Sequence, residues 1–193
     1  MKINGILLAA GRSSRFEGNK LLTELGSKPL ICHTIDKVME VEFNDLAIVT
    51  GHQEIQDIAK QNNIRPVMNH HPDKGMSYSV QLGIKETLEC DAYMFMVCDQ
   101  PHLSLRTIKQ MMDLSGKCEK GIICAGYKDR LGNPCIFSCQ YKDKFFDLSG
   151  DVGGRKIIQN NFEDVHVYQV QNEIELLDVD TVSDFHRAIQ VDN

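Results

Sequence analysis

The feature that most constrains the fold is a series of short, almost wholly apolar runs separated by amphipathic stretches. The runs occupy residues 5–10, 46–49, 92–97 and 122–125. Strands that are buried on both faces of a parallel sheet need such continuous apolar sequence. Because amphipathic, helix-like stretches separate the runs, we expect β–α–β crossovers and a three-layer α/β fold with a mostly parallel sheet.

The stretches between the runs have apolar residues every three or four positions, which is typical of helices that cover a sheet. One such stripe consists of Met76, Val80, Ile84 and Leu88. Ser104 is placed to act as the N-cap of a helix that starts at Leu105. The expected helices cover residues 30–39, 55–61, 76–88 and 105–115.

After about residue 128 the pattern is less regular. We expect short strands at residues 134–137 and 165–170 and helices at residues 141–148 and 182–189. The sequence contains no internal repeat and no low-complexity linker. We therefore expect residues 1–193 to form a single domain.

The composition excludes several classes of protein. Acidic residues outnumber basic ones by 27 to 21, giving a net charge of -6, whereas general nucleic-acid binders carry a basic stripe. The sequence has no apolar run near the roughly 18 residues that a membrane span needs, and residues 1–4 lead into the first strand without a signal-peptide pattern. We expect a cytoplasmic protein without nucleic-acid or membrane partners.

The seven cysteines are odd in number and are spread through the apolar runs. They form no Cys-x-x-Cys motif, and the pairs closest in sequence are Cys118 with Cys124 and Cys135 with Cys139. A structural zinc site requires tighter pairs. We expect reduced, mostly buried thiols.

A cationic loop follows the first apolar run. Residues 8–20 read LAAGRSSRFEGNK, in which small residues let backbone amides approach an anion and two arginines and a lysine supply positive charge. Residues 1–28 carry five Lys or Arg against two Glu. Positive charge at this point of an acidic chain indicates a small polyanion such as a nucleotide; a solvated basic loop is the alternative. The loop matches neither the Walker nor the Rossmann phosphate-binding pattern.

Acidic residues stand at two other strand ends. Asp99 follows the apolar run at residues 92–97, and ligands of open α/β sheets bind beyond the carboxyl ends of the strands. A carboxylate there suits a magnesium ion, and an aspartate that caps a turn or helix is the alternative. Asp178 and Asp180 offer a second acidic site near the end of the chain, although Asp180 is equally well placed to cap the last helix.

These residues belong to a set of seven motifs that resembles one family. Leu-Ala-Ala-Gly-x-Ser-x-Arg followed by Lys20 resembles the signature of glycosyltransferase-A-like nucleotidyltransferases, in particular the molybdenum-cofactor cytidylyltransferase branch of the MobA-like transferases. The further matches are VTGH (49–52), GMSYS (75–79), CDQP (98–101), GNP (132–134), GDVGGR (150–155) and DVDT (178–181). One departure is Glu17, where family members usually carry glycine; here Gly18 follows it.

The resemblance implies a Rossmann-like, glycosyltransferase-A-like domain that transfers CMP from CTP to molybdenum-loaded molybdopterin and releases pyrophosphate, with Mg²⁺ as cofactor. A molybdenum hydroxylase that receives the product is the implied protein partner. Residues 1–125 would form the nucleotide-binding part and residues 126–193 an elaboration on the acceptor side. The alternatives are guanylyl or sugar-phosphate nucleotidyl transfer, and a catalytically silent cofactor-binding chaperone for a hydroxylase.

The resemblance also implies roles for the matching residues. In nucleotidyl transfer an acceptor phosphate oxygen attacks the α-phosphorus in line, so the protein must position groups and neutralise charge. Arg15, Lys20 and Asp99 are the expected catalytic residues, and Asp99 would bind the metal with Asp178 or Asp180. The nucleotide is expected to contact Leu8, Ala9, Ala10, Gly11, Arg12, Ser77 and Ser79, and the acceptor to contact Gly75, Met76 and Arg155.

Ala10 bears on the choice of base. The resembling loop of related guanylyltransferases typically reads Leu-Ala-Gly-Gly, whereas residues 8–11 read Leu-Ala-Ala-Gly. A methyl group at position 10 would narrow the base pocket and favour a pyrimidine, although one methyl supplies only about 1–3 kcal/mol of discrimination.

Overall fold

The computed structural model describes residues 1–11 and 18–191. Within them, nine strands and seven α-helices alternate, joined by short 3₁₀ turns. The strands are β1 (Ile3–Ala9), β2 (Glu24–Leu25), β3 (Lys28–Pro29), β4 (Asp45–Thr50), β5 (Arg65–Met68), β6 (Ala92–Val97), β7 (Ile122–Tyr127), β8 (Arg130–Ser138) and β9 (Val165–Gln169). The helices are α1 (Leu30–Val38), α2 (Gln53–Gln61), α3 (Gly75–Glu86), α4 (Leu105–Ser115), α5 (Lys142–Phe146), α6 (Gly154–Asn160) and α7 (Val182–Val191).

Seven of the strands form one sheet in the order β5-β4-β1-β6-β8-β7-β9, while β2 and β3 form a separate two-stranded ribbon. Neighbours are parallel from β5 to β6 and again between β7 and β9. Strand β8 runs antiparallel to both of its neighbours, β6 and β7. The expected mostly parallel α/β sheet is therefore confirmed, and the carboxyl ends of β1, β4 and β6 meet at one edge.

Two hydrophobic layers lie on the two faces of this sheet. Leu7 belongs to the layer that α1, α2, α4 and α7 cover, and Ile6 belongs to the layer that α3, α5 and α6 cover. Both side chains are fully buried. Successive residues of β1 thus point into opposite layers, which is why the strand had to be apolar throughout.

The predicted start of α4 at Leu105 is confirmed. The apolar stripe predicted for α3 is only partly a core face. The N–H of Thr107 donates to the hydroxyl of Ser104 at 3.0 Å, so Ser104 caps α4. Of the stripe predicted for α3, only the two middle members are core residues; Met76 is 44% exposed and Leu88 is 55% exposed. Leu88 lies beyond the end of the helix, and Met76 lies in its first turn at the sheet edge.

Other differences have local causes. β5, an edge strand, and α6 were not expected, since β5 contains Pro66 and α6 begins in a glycine-rich segment. β8 is longer than the short strand predicted at residues 134–137. Asp180 does not cap α7, because Thr181 takes that position. The hydroxyl of Thr181 accepts the N–H of Asp184 at 3.1 Å, and the Asp184 carboxylate accepts the N–H of Thr181 at 2.9 Å, which is a reciprocal N-terminal cap.

None of the helices in residues 1–11 and 18–191 is long and apolar enough to cross a membrane.

Candidate active site

A cavity of about 560 Å³ opens at the edge of the sheet where β1 and β6 end. The segment of small residues after β1 forms one side, and the turn that leads into α3 forms another. The described residues that line it are Leu8, Ala9, Ala10, Gly11, Lys20, Leu21, Pro72, Asp73, Gly75, Met76, Ser79, Val97, Cys98, Asp99, Asp151 and Asp180.

The cavity brings together most of the residues that the sequence singled out, from motifs far apart in the chain. Three of the predicted site residues, Ser77, Arg155 and Asp178, are not part of its lining. Arg12 and Arg15 lie outside the described residues, as does Glu17. Gly18, the first described residue after the loop, has a φ of +92°.

Lys20 is the centre of the charged side of the cavity. Its Nζ lies 2.7 Å from Oδ2 of Asp99 and 2.7 Å from Oδ1 of Asp180. The lysine sits in a 3₁₀ turn, Lys20–Leu22, that the side chain of Asn19 caps by accepting the N–H of Leu21 at 3.1 Å. Burial alone would lower the pKa of the Lys20 ammonium, but the two carboxylates outweigh it and raise that pKa. The side chain therefore stays charged although it is only 11% exposed.

Asp99 has one carboxylate oxygen engaged and one that has no partner within residues 1–11 and 18–191. Lys20 binds Oδ2, while Oδ1 is buried and finds no hydrogen-bond partner among the described residues. A buried carboxylate oxygen left in this condition is costly unless another group meets it. Of the alternatives for Asp99, the helix cap is wrong, because Ser104 caps α4, whereas Asp99 does lie in a turn after β6.

Asp178 does not line the cavity, but hydrogen bonds hold its segment to the end of β6. The amide of Gln100 donates to Oδ1 of Asp178 at 2.8 Å, and the backbone N–H of Val179 donates to the carbonyl of Asp99 at 2.9 Å. Burial and the charge of Asp99 raise the pKa of the Asp178 carboxyl to about 6. The segment that carries Asp178 and Asp180 is thus fastened to the end of β6.

The donor set fits a hard divalent cation that takes few protein ligands. Over residues 1–11 and 18–191, no three His, Cys, Asp or Glu side chains are close enough to hold a metal by themselves. Magnesium usually keeps several waters and binds through one or two carboxylates plus substrate phosphates. Asp99, whose Oδ1 has no partner among the described residues, and Asp180 both line the cavity and supply carboxylates of this kind.

The opposite side of the cavity is built by contact between two backbone segments. Gly75 has a φ of +79°, and a Cβ there would lie 2.4 Å from the carbonyl carbon of Gly150. The N–H of Ser77 donates to the carbonyl of Gly150 at 3.2 Å. Ser77 does not line the cavity, so the contribution that the structure shows for it is this backbone anchor. The contact places Asp151, the next residue, in the cavity wall.

Met76, Ser79 and Arg155 differ in how they relate to the cavity. Met76 lines it and packs on Gly153, where a Cβ would lie 2.5 Å from the methionine sulfur. The hydroxyl of Ser79 lines it and accepts the side-chain N–H of Asn69 at 3.0 Å, which leaves the hydroxyl hydrogen to donate. Arg155 is exposed on the first turn of α6 and lies outside the lining.

Sequence reasoning did not single out Asp73 and Asp151, which both line the cavity. A signal was present for Asp151, because it stands inside the GDVGGR motif. Asp73 belongs to a 3₁₀ turn, Pro72–Lys74, for which nothing in the sequence pattern indicates a cavity.

Residues 5–167 match the family of the MobA-like NTP transferase domain. This chain belongs to that family. A 57-residue segment is 42% identical to a probable molybdenum cofactor guanylyltransferase from Thermococcus sibiricus, covering 29% of each chain. A segment of 114 residues is 28% identical to the bifunctional protein GlmU of Aquifex aeolicus, covering 56% of this chain and 25% of the relative. The chain thus aligns with only about a quarter to a third of the length of these curated relatives.

The fold of this MobA-like domain is shared with a solved structure over its whole length. Rv0371c of Mycobacterium tuberculosis has a TM-score of 0.86 at 24% identity, with 98% of both chains covered. A structure of Rv0371c in complex with manganese has a TM-score of 0.83 at 23% identity, covering 98% of this chain and 99% of the other. At this level of identity the likeness establishes the fold, while the family match establishes that the chain is of the NTP transferase type.

Proposed function

We propose that this MobA-like domain is a nucleotidyltransferase that transfers CMP from CTP to molybdenum-loaded molybdopterin and releases pyrophosphate. The observation that carries the proposal is the contact of Lys20 with Asp99 and Asp180 in the cavity at the ends of β1 and β6. It sets an ammonium beside a carboxylate that has one buried oxygen without a hydrogen-bond partner in the described part of the chain. A nucleoside triphosphate needs both a cation for its phosphates and a ligand for its metal.

The chemistry requires no nucleophile from the protein. A phosphate oxygen of the acceptor attacks the α-phosphorus of CTP, and the bond from that phosphorus to the pyrophosphate oxygen breaks. In this proposal Lys20 moves from the carboxylates to the triphosphate and stabilises the charge that grows on the departing pyrophosphate. Ala9, Ala10 and Gly11 let the nucleotide lie close to the backbone at the end of β1. We assign Arg12 and Arg15, outside the described residues, to the triphosphate as well.

Asp99 would hold a Mg²⁺ ion through its free oxygen, with Asp178 or Asp180 as a second ligand. When bound, the ion would neutralise phosphate charge and help to orient the triphosphate. Rv0371c, which shares this fold, has been solved in complex with manganese, and that complex supports a divalent cation here. Mg²⁺ itself is our proposal for this chain.

The preference for CTP rests on Ala10, which lines the cavity. A guanylyl donor is the second candidate, because the segment of 42% identity belongs to a probable molybdenum cofactor guanylyltransferase. Transfer to a sugar phosphate, an alternative that the sequence resemblance left open, is a third. All three share the triphosphate chemistry and differ in the base or the acceptor.

We place the acceptor on the side of the cavity formed by Gly75 and Met76. Arg155, exposed on the first turn of α6, is proposed to contact the acceptor phosphate from outside the described lining. A molybdenum hydroxylase that takes up the product remains a proposed partner. A chaperone without catalytic activity is disfavoured because the chain has both Lys20 and Asp99, which cofactor storage alone does not require.

The test is pyrophosphate release with Mg²⁺, molybdenum-loaded molybdopterin and either CTP or GTP. We expect release that depends on the acceptor and a higher kcat/KM with CTP. A preference for GTP would overturn the cytidylyl assignment and leave nucleotidyl transfer intact. Release with a sugar phosphate, but not with molybdopterin, would move the acceptor to the third candidate. Tight binding of molybdopterin without turnover of any nucleotide would indicate the chaperone.

A further inference from the structure

Two buried thiols face each other on adjacent strands. Cys124 of β7 and Cys135 of β8 are register partners in an antiparallel pair, and their sulfur atoms are 3.2 Å apart. Directly opposed residues of such a pair have Cα atoms about 4.5–5.5 Å apart, which falls within the range of disulfides. The fold therefore pairs neither Cys118 with Cys124 nor Cys135 with Cys139, the neighbours in sequence.

We propose that Cys124 and Cys135 are a modification site, a dithiol that a small peroxide converts reversibly into a cross-strand disulfide. Both residues are buried, at 1% and 7% exposure, so a bulky oxidant has no direct access to the sulfur atoms. The inference goes beyond the proposed nucleotidyl transfer, because neither thiol lines the cavity.

The two sulfur atoms contact each other and share one hydrogen-bond acceptor. Each lies 3.2 Å from the carbonyl oxygen of Gly132, and either sulfur can donate to the other. Since the thiolate is the reactive form of cysteine, the thiol of the pair that loses its proton is the attacking residue and the other is the resolving one.

The oxidation with hydrogen peroxide balances in two steps. The thiolate of one cysteine attacks one peroxide oxygen, the O–O bond breaks, and the departing hydroxide takes a proton to become water, leaving a sulfenic acid. The sulfur of the second cysteine then attacks the sulfenic sulfur, an S–S bond forms, and the hydroxyl leaves as a second water with the proton of the second cysteine. The two thiols lose two electrons in total, and the peroxide gains them. An external dithiol reverses the modification by thiol–disulfide exchange.

The site lies where the ladder between β7 and β8 is interrupted. After the pair of Cys124 with Cys135, pairing resumes only at Gly126 with Leu131. Gly132, in the interruption, packs on Leu176, since a Cβ there would lie 3.2 Å from that side chain. A disulfide would therefore fasten the two strands next to the segment that leads to Asp178.

The test uses a chain with the exposed Cys139 replaced, Cys139→Ser. Trypsin leaves Cys135 and Cys139 on one peptide, residues 131–142, so the replacement makes the assignment unique. The folded protein is treated with hydrogen peroxide, alkylated in denaturant and digested without reduction. We expect peptide 121–128 linked to peptide 131–142, and loss of that link when dithiothreitol precedes digestion.

Two further variants in the same background complete the design. Adding Cys135→Ser should abolish the link, and adding Cys32→Ser, which removes a half-buried thiol on α1, should leave it unchanged. Recovery of Cys124 and Cys135 as alkylated thiols after peroxide treatment would overturn the proposal. So would their conversion to sulfinic or sulfonic acids without a link, or a link that forms only when the chain is unfolded before oxidation.

Discussion

The ammonium of Lys20 lies 2.7 Å from the carboxylate of Asp99, although 79 residues separate them in the chain. Lys20 follows the loop after β1, and Asp99 follows β6, so the contact joins the ends of two adjacent parallel strands. The same lysine reaches Asp180, 160 positions further along the chain. One side chain thus links the three motifs on which the proposed phosphate chemistry depends.

Replacing Asp99 tests the metal assignment. Asp99→Asn keeps the size of the side chain but removes the charge that a hard dication needs, and turnover should fall by at least about 100-fold. The chain should still fold, because Lys20 retains Asp180 as a partner. Steady-state pyrophosphate release in Mg²⁺ checks the first expectation and a thermal melt checks the second. Near-normal turnover would show that Asp99 is not a metal ligand.

Replacing Lys20 tests the phosphate assignment. A Lys20→Ala chain should bind CTP more weakly and turn over more slowly, because the charge acts in both the ground state and the transition state. Lys28→Ala is the matched control, since Lys28 pairs with Asp36 on the surface, away from the cavity lining. Nucleotide affinity by calorimetry should change only in the first variant. CTP affinity and turnover that stay unchanged in both variants would return Lys20 to the alternative of a solvated basic loop.

The pKa of Asp178, raised to about 6 from an ordinary value of 3.8, predicts a pH dependence of stability. The folded state holds this proton more tightly than the unfolded state, so the stabilising contribution is complete below about pH 3.8 and is lost as the pH rises through 6. Asp178→Asn stays neutral at every pH. Its Tm should exceed that of the parent at pH 8, and the difference should shrink towards pH 4. A difference that is the same at both pH values would contradict this origin.

The backbone contact between Gly75 and Gly150 predicts an intolerance to any side chain at position 75. Gly75→Ala adds a Cβ at a φ of +79°, where Gly150 already lies at 2.4 Å, and should cost about 1–3 kcal/mol of unfolding free energy or more. Gly26→Ala is the control, because Gly26 has a similar φ of +67° but open space around it. Urea denaturation of both variants separates the clash from the backbone strain. Equal losses would mean that the Gly150 segment moves away freely.

The proposed preference for CTP predicts that removing the methyl group of Ala10 reduces the discrimination against GTP by a limited amount. Ala10→Gly should narrow the ratio of kcat/KM for CTP over GTP by about 10- to 200-fold at most, since a methyl is worth only that much discrimination. The ratio is best measured by direct competition of the two nucleotides. A ratio that does not change would remove Ala10 from the specificity of the site.

The sequence predicted the parts of the fold that local pattern controls. β6 occupies the predicted residues, and Ser104 caps α4 as expected, because burial on two faces and helix capping each produce a sequence pattern within a few positions. The pairing of β8 between β6 and β7 produces no local sequence pattern, and this pairing places Cys124 opposite Cys135.

In the candidate site, too, local motifs predicted individual residues, whereas long-range packing determined their contacts. The motifs indicated Lys20, Asp99 and Asp180 separately, but their mutual contact depends on strand order and on the Val179 bond to Asp99. Asp73 lines the cavity because the turn before α3 places it there. Arg155 lies outside the lining because α6 carries that side chain on an exposed face. Long-range packing decided both positions.

The most direct test of nucleotidyl transfer follows a phosphorus label from CTP. With the label at the α-phosphate, we predict that molybdopterin becomes labelled as a dinucleotide; with the label at the γ-phosphate, we predict labelled pyrophosphate in equal amount. Both products should form at least about 100-fold more slowly in the Asp99→Asn chain. Release of the γ-label as inorganic phosphate, or no transfer of the α-label from any nucleoside triphosphate to any phosphorylated acceptor offered, would contradict nucleotidyl transfer by this chain.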